Sequence, residues 1–229
     1  MHIFTVYTPT HQPLLEDFLL PSLQEHEPGL PITQIELQQR SASGSIKTEG
    51  FIETIREKYY HMWEFASSLP YGELVVCTDC DIQFFKPFAD NLRGYMEKYD
   101  IVFQTNVLNP PKLNIGFLCM RWTPAVRLIF SVMLANMHNF RQEEITMNYL
   151  LRHHAPRVRY RLLPANDYWT VLATPARRFV EELVPPDLFM HHGNGALGTE
   201  NKILMLQQVR DVVWARQGLP RPDREAVLV

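Results

Sequence analysis

Apolar positions along this chain switch between short strand-like runs and the three-and-four spacing of helices. His2 to Thr8 (HIFTVYT) predicts a first strand, and Leu15, Phe18, Leu19 and Leu23 predict a short amphipathic helix interrupted by Pro21. Ile32 to Leu37 predicts a second strand. After the small-residue loop Ser41-Ala42-Ser43-Gly44-Ser45, a helix from about Phe51 to Ser67 carries Ile52, Ile55, Tyr59, Met62 and Ala66 on one side. The apolar run Leu74-Val75-Val76-Cys77 then predicts a buried strand that closes on Asp79-Cys80-Asp81. Asp100 to Gln104 and Leu113 to Arg121 predict further strands, with Pro110-Pro111 punctuating their connection. Val126, Ile129, Phe130, Met133 and Met137 give a helical stripe starting just after Pro124, and a second helix spans Glu143 to Arg152. Arg157 to Leu163 and Leu188 to His192 predict the last strands, and Glu200 to about Arg216 the last helix.

This alternation, without internal repeat, linker or low-complexity stretch, predicts an α/β fold in one domain over residues 1–229. The prolines and charges after Gly218 predict a loose tail over about 218–229. With 46% hydrophobic and 21% charged residues the chain reads as an ordinary globular domain rather than a disordered one. A formal charge of −3 and no dense cluster of Lys and Arg argue against nucleic acid as a partner, while small anions need only local positive charge. No apolar stretch has the length of a membrane span and the N-terminus lacks a signal-peptide pattern, so a cytoplasmic location is expected. Three cysteines do not suggest a disulfide framework. Cys77 and Cys80 form a C-x-x-C, but within a strand they face opposite sides and Cys119 supplies no second pair, so buried, inert thiols are expected.

Two stretches carry chemistry. Asp79 and Asp81 place two carboxylates at a strand's carboxyl end, where open α/β sheets bind ligands and where a hard cation is the natural partner. A polar strand end or an Asx turn is the bland reading of the same residues. Far downstream, Met190-His191-His192-Gly193-Asn194-Gly195-Ala196-Leu197-Gly198-Thr199-Glu200-Asn201-Lys202 combines imidazoles, three glycines and a helix start with Thr199 as a plausible N-cap. Glycines admit a ligand close to the backbone, a helix start attracts phosphate, and Lys202 one turn in meets the same anion. His191 or His192 would complete a mixed oxygen and nitrogen shell that favours manganese over magnesium; a glycine-rich turn with surface histidines is the alternative. Asn114-Ile115-Gly116-Phe117, at the start of an apolar strand, signals close approach of backbone or ligand, or a bulge.

Together these residues resemble the GT-A nucleotide-diphospho-sugar glycosyltransferases. The resemblance runs through Phe4-Thr5-Val6-Tyr7-Thr8-Pro9, Gly44-Ser45 and Gly50-Phe51, then Asp79-Cys80-Asp81 as the D-x-D signature. It continues with Asn114-Ile115-Gly116-Phe117, similar to N-x-G-F, and with His192, Asn194, Gly198 and Lys202, similar to a late H-x-N-x-x-x-G-x-x-x-K segment. It implies a GT-A-like domain with a Rossmann-like mixed sheet flanked by helices. Asp81 would bind a divalent metal directly, Asp79 would be shared between metal and ribose, and His192 would be the third protein ligand. Thr5, Tyr7 and Thr8 would lie against the nucleotide, Lys58 or Arg56 against the diphosphate, and Asn114, Gly116, Asn194, Gly195, Gly198 and Lys202 around the donor. Asp167, with Tyr168 and Trp169, is a candidate for sugar contact, core packing being the alternative for Trp169. Relatives carry Asp-Gln where this chain has Glu143-Glu144. This pair is the candidate catalytic or acceptor-orienting group, or else an exposed acidic helix start.

The implied reaction moves a hexose or pentose from a nucleoside diphosphate sugar, UDP-linked first, to a hydroxyl of a glycan or glycoconjugate, with Mn²⁺ or Mg²⁺ as cofactor. Analogy leans towards retention of configuration. A phosphatase of the haloacid-dehalogenase type also places D-x-D after an apolar strand, but Gln83 stands where Thr or Val is usual. A non-catalytic module that binds a nucleotide sugar is the third reading.

Overall fold

The computed structural model describes residues 1–40, 50–108, 110–140, 143–153 and 157–219. The loop expected at Ser41 to Ser45 and the tail beyond Leu219 lie outside the described residues. Six strands form the main sheet, in the order β2-β1-β3-β6-β5-β7: β1 His2–Tyr7, β2 Ile32–Glu36, β3 Leu74–Asp79, β5 Ile101–Leu108, β6 Pro111–Arg121 and β7 Tyr160–Leu162. The sheet is mixed, with β1 parallel to β2 and β3, β5 parallel to β7, and β6 antiparallel to both β3 and β5. A smaller sheet, β4-β9-β8, joins β4 Ile82–Phe84, β9 Met190–His192 and β8 Tyr168–Thr170.

Strict alternation sends the strands' apolar residues to two cores. Val75, Cys77, Ile101, Phe103, Leu118 and Met120 pack on one face of the main sheet against α3 Phe51–Ser68, α5 Pro124–Phe140 and α6 Glu143–His153. Val76, Val102, Phe117 and Cys119 pack on the other face, against the N-terminal helical segment, α4 Ala89–Met96 and the small sheet. A third cluster lies under α7 Thr199–Arg216, built on Met205, Val209, Val212 and Val213. Tyr59, Met62 and Ala66 of α3 and the stripe Val126, Ile129, Phe130, Met133 and Met137 of α5 are buried as their spacing predicts.

Several elements differ from expectation. Pro21 does not interrupt its helix: α1 Gln12–Leu14 and α2 Leu20–His26 join through a π turn over Leu15–Leu19, in which the Leu20 N–H bonds to Leu15 O. That wider turn accommodates a proline, which has no N–H to donate. Neither β4 nor α4 is expected from the sequence; β4 has three residues and α4 only three buried positions, too few to show a period. Thr199 is the first residue of α7 rather than its cap. Gly198, at φ +81°, holds the capping position, and Thr199 makes no capping bond.

The D-x-D pair does not share one extended segment. β3 ends at Asp79, the chain bends through Cys80 and Asp81, and β4 then joins the other sheet. Among the described residues all three cysteines are free and buried, and no helix is long and apolar enough to cross a membrane.

Candidate active site

The bend at Cys80 and Asp81 sits where the two sheets meet. Ile82 pairs with His192 across β4 and β9, and the Gly193 N–H donates to Asp81 O at 2.8 Å, so strand register places His192 beside Asp81. Alternation along β9 also separates the two histidines. His191 turns away to pack on Trp169, with ring centres 4.8 Å apart, while His192 faces the carboxylates. His192 Nε2 lies 3.2 Å from Asp81 Oδ1 and 3.6 Å from Asp79 Oδ2. One donor atom from each of Asp79, Asp81 and His192 falls within 4.8 Å of the others.

Each carboxylate also has a cation. Lys58 of α3 donates to Asp79 Oδ1, and Lys202 of α7 donates to Asp81 Oδ2 at 2.6 Å. Burial pushes both carboxyls up, but the ammonium groups, joined by His192, outweigh it, so Asp79 falls below its ordinary value and Asp81 well below it. Burial likewise pulls Lys58 and Lys202 down, and their carboxylates more than restore them, so both end up raised. Both aspartates are therefore ionised and both lysines charged across the neutral range.

Gly116 shows how tightly this corner is built. A Cβ at Gly116 would come within 2.5 Å of both Asp79 Oδ2 and His192 Cε1, so only glycine lets β6 run against these two side chains. The strand reaches them through an irregularity: Phe103 pairs with Leu118 but Gln104 with Asn114, so Ile115, Gly116 and Phe117 are extra residues on β6. Asn114 steadies the segment by accepting the Gly116 N–H at 2.6 Å.

These residues fit a divalent cation. His192 Nε2 is buried and has no hydrogen-bond partner, although two carboxylate oxygens face it. Two hard oxygens and one imidazole nitrogen around a shared point make a donor set suited to manganese or a similar ion. Without a cation, burial opposes a proton on His192, but Asp81 and then Asp79 favour it more strongly and push the imidazole up to about 9. Cation and proton thus compete for the same lone pair.

The corner forms the floor of a cavity of about 330 Å³. Of the residues singled out in the sequence, Tyr7, Thr8, Lys58, Asp79, Asp81, Asn114, Gly116, Glu143, Glu144, His192, Asn194, Gly198 and Lys202 all line it. Thr5, Asp167 and Gly195 do not. Thr5 is fully buried within β1, and the Asp167 carbonyl accepts the N–H groups of Phe189 and Met190 in a structural turn. Gly195 instead packs on Val171, where a Cβ would stand 2.1 Å from Cγ2. Tyr168 and Trp169 form β8 and are buried, Tyr168 stacking on Phe117 and Phe189, so both are core. Arg56 lies away from this cavity, in a second hollow with Arg40 and Glu57.

Glu143 and Glu144, the start of α6, line the same cavity rather than projecting into solvent as a simple helix start would. Burial raises both. Glu144, with Glu143 beside it, reaches about 7, and its Oε2 accepts from Asn106 Nδ2 at 3.2 Å. Lining residues that sequence reasoning missed include His11, whose Nδ1 lies 2.9 Å from Thr8 Oγ1, together with Gln39 and Asn106. None belongs to a motif. Gln104 is absent from those motifs too; the signal for it is an amide directly after the apolar run Ile101-Val102-Phe103, within β5.

No family model matches the chain, and no curated protein matches its sequence. Solved structures do. The chain superposes on a glycosyltransferase involved in glycosylation of the major capsid of PBCV-1 with a TM-score of 0.59 at 14% identity, covering 90% of this chain and 98% of that one. With the glycosyltransferase GlyE of Streptococcus pneumoniae TIGR4 the TM-score is 0.57 at 11% identity, covering 97% of this chain and 65% of that one. With the galactosyltransferase LgtC, solved with donor and acceptor sugar analogs, it is 0.56 at 9% identity and 98% coverage of both. At these identities the likeness is one of fold, and the fold is the GT-A architecture that the sequence resembles.

Proposed function

We propose that the chain is a metal-dependent glycosyltransferase that moves a hexose or pentose from a nucleoside diphosphate sugar, UDP-linked first, to a hydroxyl of a glycan or glycoconjugate. The observation that carries this reading is the buried His192 Nε2, aimed at Asp79 and Asp81 without a hydrogen bond, with a lysine on each carboxylate, beside a cavity. Asp79, Asp81 and His192 would hold Mn²⁺, or Mg²⁺. Bound there, the cation supplies Lewis acidity to a departing diphosphate.

Charge explains the rest of the arrangement. At rest Lys58 and Lys202 balance the two aspartates. With a cation held by those carboxylates, Lys58 and Lys202 would be free to donate to the oxygens of a diphosphate. Lys58 and Lys202 therefore serve first as counter-ions and then as donors to the leaving group, where charge develops as the sugar bond breaks. Metal and donor should bind in support of one another. Tyr7 and Thr8, at the end of β1, form the nucleotide side of the cavity. Glu143 and Glu144 line the same cavity, where an acceptor hydroxyl enters, and a carboxyl titrating at about 7 is suited to exchanging a proton with it.

The test is a panel of UDP-, GDP- and dTDP-sugars with Mn²⁺ or chelator, read as nucleoside diphosphate release and as donor-dependent thermal stabilisation. Metal-dependent stabilisation by one donor supports the reading. No binding by any nucleotide sugar, together with hydrolysis of a phosphate ester through an aspartyl phosphate, would replace it with the phosphatase reading.

A further inference from the structure

Gln104 is fully buried, and its side chain reaches across to the small sheet. Along β5, Ile101 and Phe103 serve one core and Val102 the other; Gln104 follows Val102 onto the face that packs on β8 and β9. An amide there needs a reason, because burying one without partners is costly.

The direction of its amide follows from its neighbours. Tyr168 O and Trp169 O lie 3.3 and 3.2 Å from one end of the amide, and backbone carbonyls only accept, so that end is the Nε2 group, donating to both. The other end, Oε1, therefore faces His192 Nδ1 at 2.7 Å. An amide oxygen only accepts, so His192 Nδ1 must carry a hydrogen. A neutral imidazole with its proton on Nδ1 presents a lone pair on Nε2, the atom that faces Asp79 and Asp81.

We infer that Gln104 is a positioning residue for the metal corner: anchored by two carbonyls of β8, it fixes the tautomer and ring orientation of His192 so that Nε2 is presented as a ligand. This inference rests on the metal-site reading above and adds a residue that the D-x-D and histidine motifs do not contain. Outer partners of this kind typically set metal affinity by about 10- to 100-fold. The anchor also couples β8 to the site. The backbone carbonyls of Tyr168 and Trp169 hold Gln104 in place, which gives their burial in the core a bearing on the orientation of His192.

The test is calorimetric titration of the full chain with Mn²⁺ alone, alongside thermal unfolding of the metal-free protein. Gln104→Leu removes the acceptor and both donors; it is expected to weaken Mn²⁺ binding by about 10- to 100-fold and to lower the unfolding temperature. Gln104→Glu keeps an acceptor for Nδ1 but loses both donations, so its unfolding temperature should fall while Mn²⁺ affinity stays within about threefold of the unsubstituted chain, or rises. Should Gln104→Leu fail to fold, Gln104→Met fills similar space without an amide and is read the same way. Equal Mn²⁺ affinity in the unsubstituted chain and in Gln104→Leu or Gln104→Met overturns the inference and leaves the metal reading standing. Loss of affinity in Gln104→Glu as large as in Gln104→Leu also overturns it. Failure of the unsubstituted chain to take up Mn²⁺ overturns the metal reading, and the inference with it.

Discussion

Two acidic pairs line one cavity, and their environments drive them in opposite directions. Asp79 and Asp81 each have a lysine and share His192, so despite burial they stay ionised far into acid. Glu143 and Glu144 are half-buried, no lysine or arginine forms an ion pair with them among the described residues, and Asn106 offers Glu144 only an amide; desolvation prevails, raising Glu143 and taking Glu144 to about 7. The contrast teaches that the role of a carboxylate here depends on the cations placed around it. One pair is a permanent anion suited to holding a cation, and in the other Glu144 changes protonation near neutrality.

The largest break in that contrast should come from Asp81→Ala. It removes a metal ligand and leaves Lys202 without its anion, so metal-dependent donor binding should be lost and turnover should fall by about 10³-fold, measured by nucleoside diphosphate release. Gly116→Ala strikes the same pair without changing a charge. Its Cβ would press on Asp79 and His192, and the expected outcome is weaker Mn²⁺ binding, about 10²-fold lower turnover and about 1–3 kcal/mol of lost stability by denaturant titration.

Glu144→Gln addresses the glutamate pair. Folded Glu144 holds its proton up to about pH 7, whereas the unfolded chain releases it near the ordinary value of 4.5, so the folded state binds more protons between those values. Stability from this group therefore falls as pH rises through that window. Glu144→Gln should match the unsubstituted chain at pH 4 and exceed it above pH 7, by up to about 2 kcal/mol once partial exposure is allowed for. Mn²⁺ affinity should stay unchanged, and the pH dependence of turnover near 7 should flatten. An unaltered pH profile would remove Glu144 from the proton-transfer role. The smallest effect is expected from Asn106→Ala, which takes away the Glu144 partner. Glu144 should titrate higher still, visible by carboxyl NMR, at a stability cost of about 1 kcal/mol.

How much could be read beforehand depended on length and period. The eighteen residues of α3 and the stripe of α5 repeat their spacing several times, and both helices are found where the pattern puts them. β4 and β8, at three residues each, hold too little pattern to identify, whereas β9 falls within the strand predicted over Leu188 to His192. The D-x-D pair was conspicuous as chemistry, but its geometry was not. Two acids on one extended strand would point the same way by alternation; here a sheet switch between them brings Asp81 to Lys202 and Asp79 to Lys58. Asp167 and Trp169 were plausible sugar contacts by residue type, and pairing of β8 with β9 turned Trp169 into core.

By itself the sequence determined the α/β alternation, the two-faced strands, and an inventory of two aspartates, a histidine, two lysines and a glutamate pair that resembles one enzyme class. Those are local properties, because apolar period and residue type act over a few neighbours. The resemblance already pointed to His192 rather than His191; only the tertiary structure decided which lysine neutralises which aspartate, that Gly116 must have no side chain and that Gln104 sets the face His192 presents. Each of those depends on residues brought together from distant parts of the chain by strand register, and pKa values and ligand geometry follow from distances that no local pattern encodes.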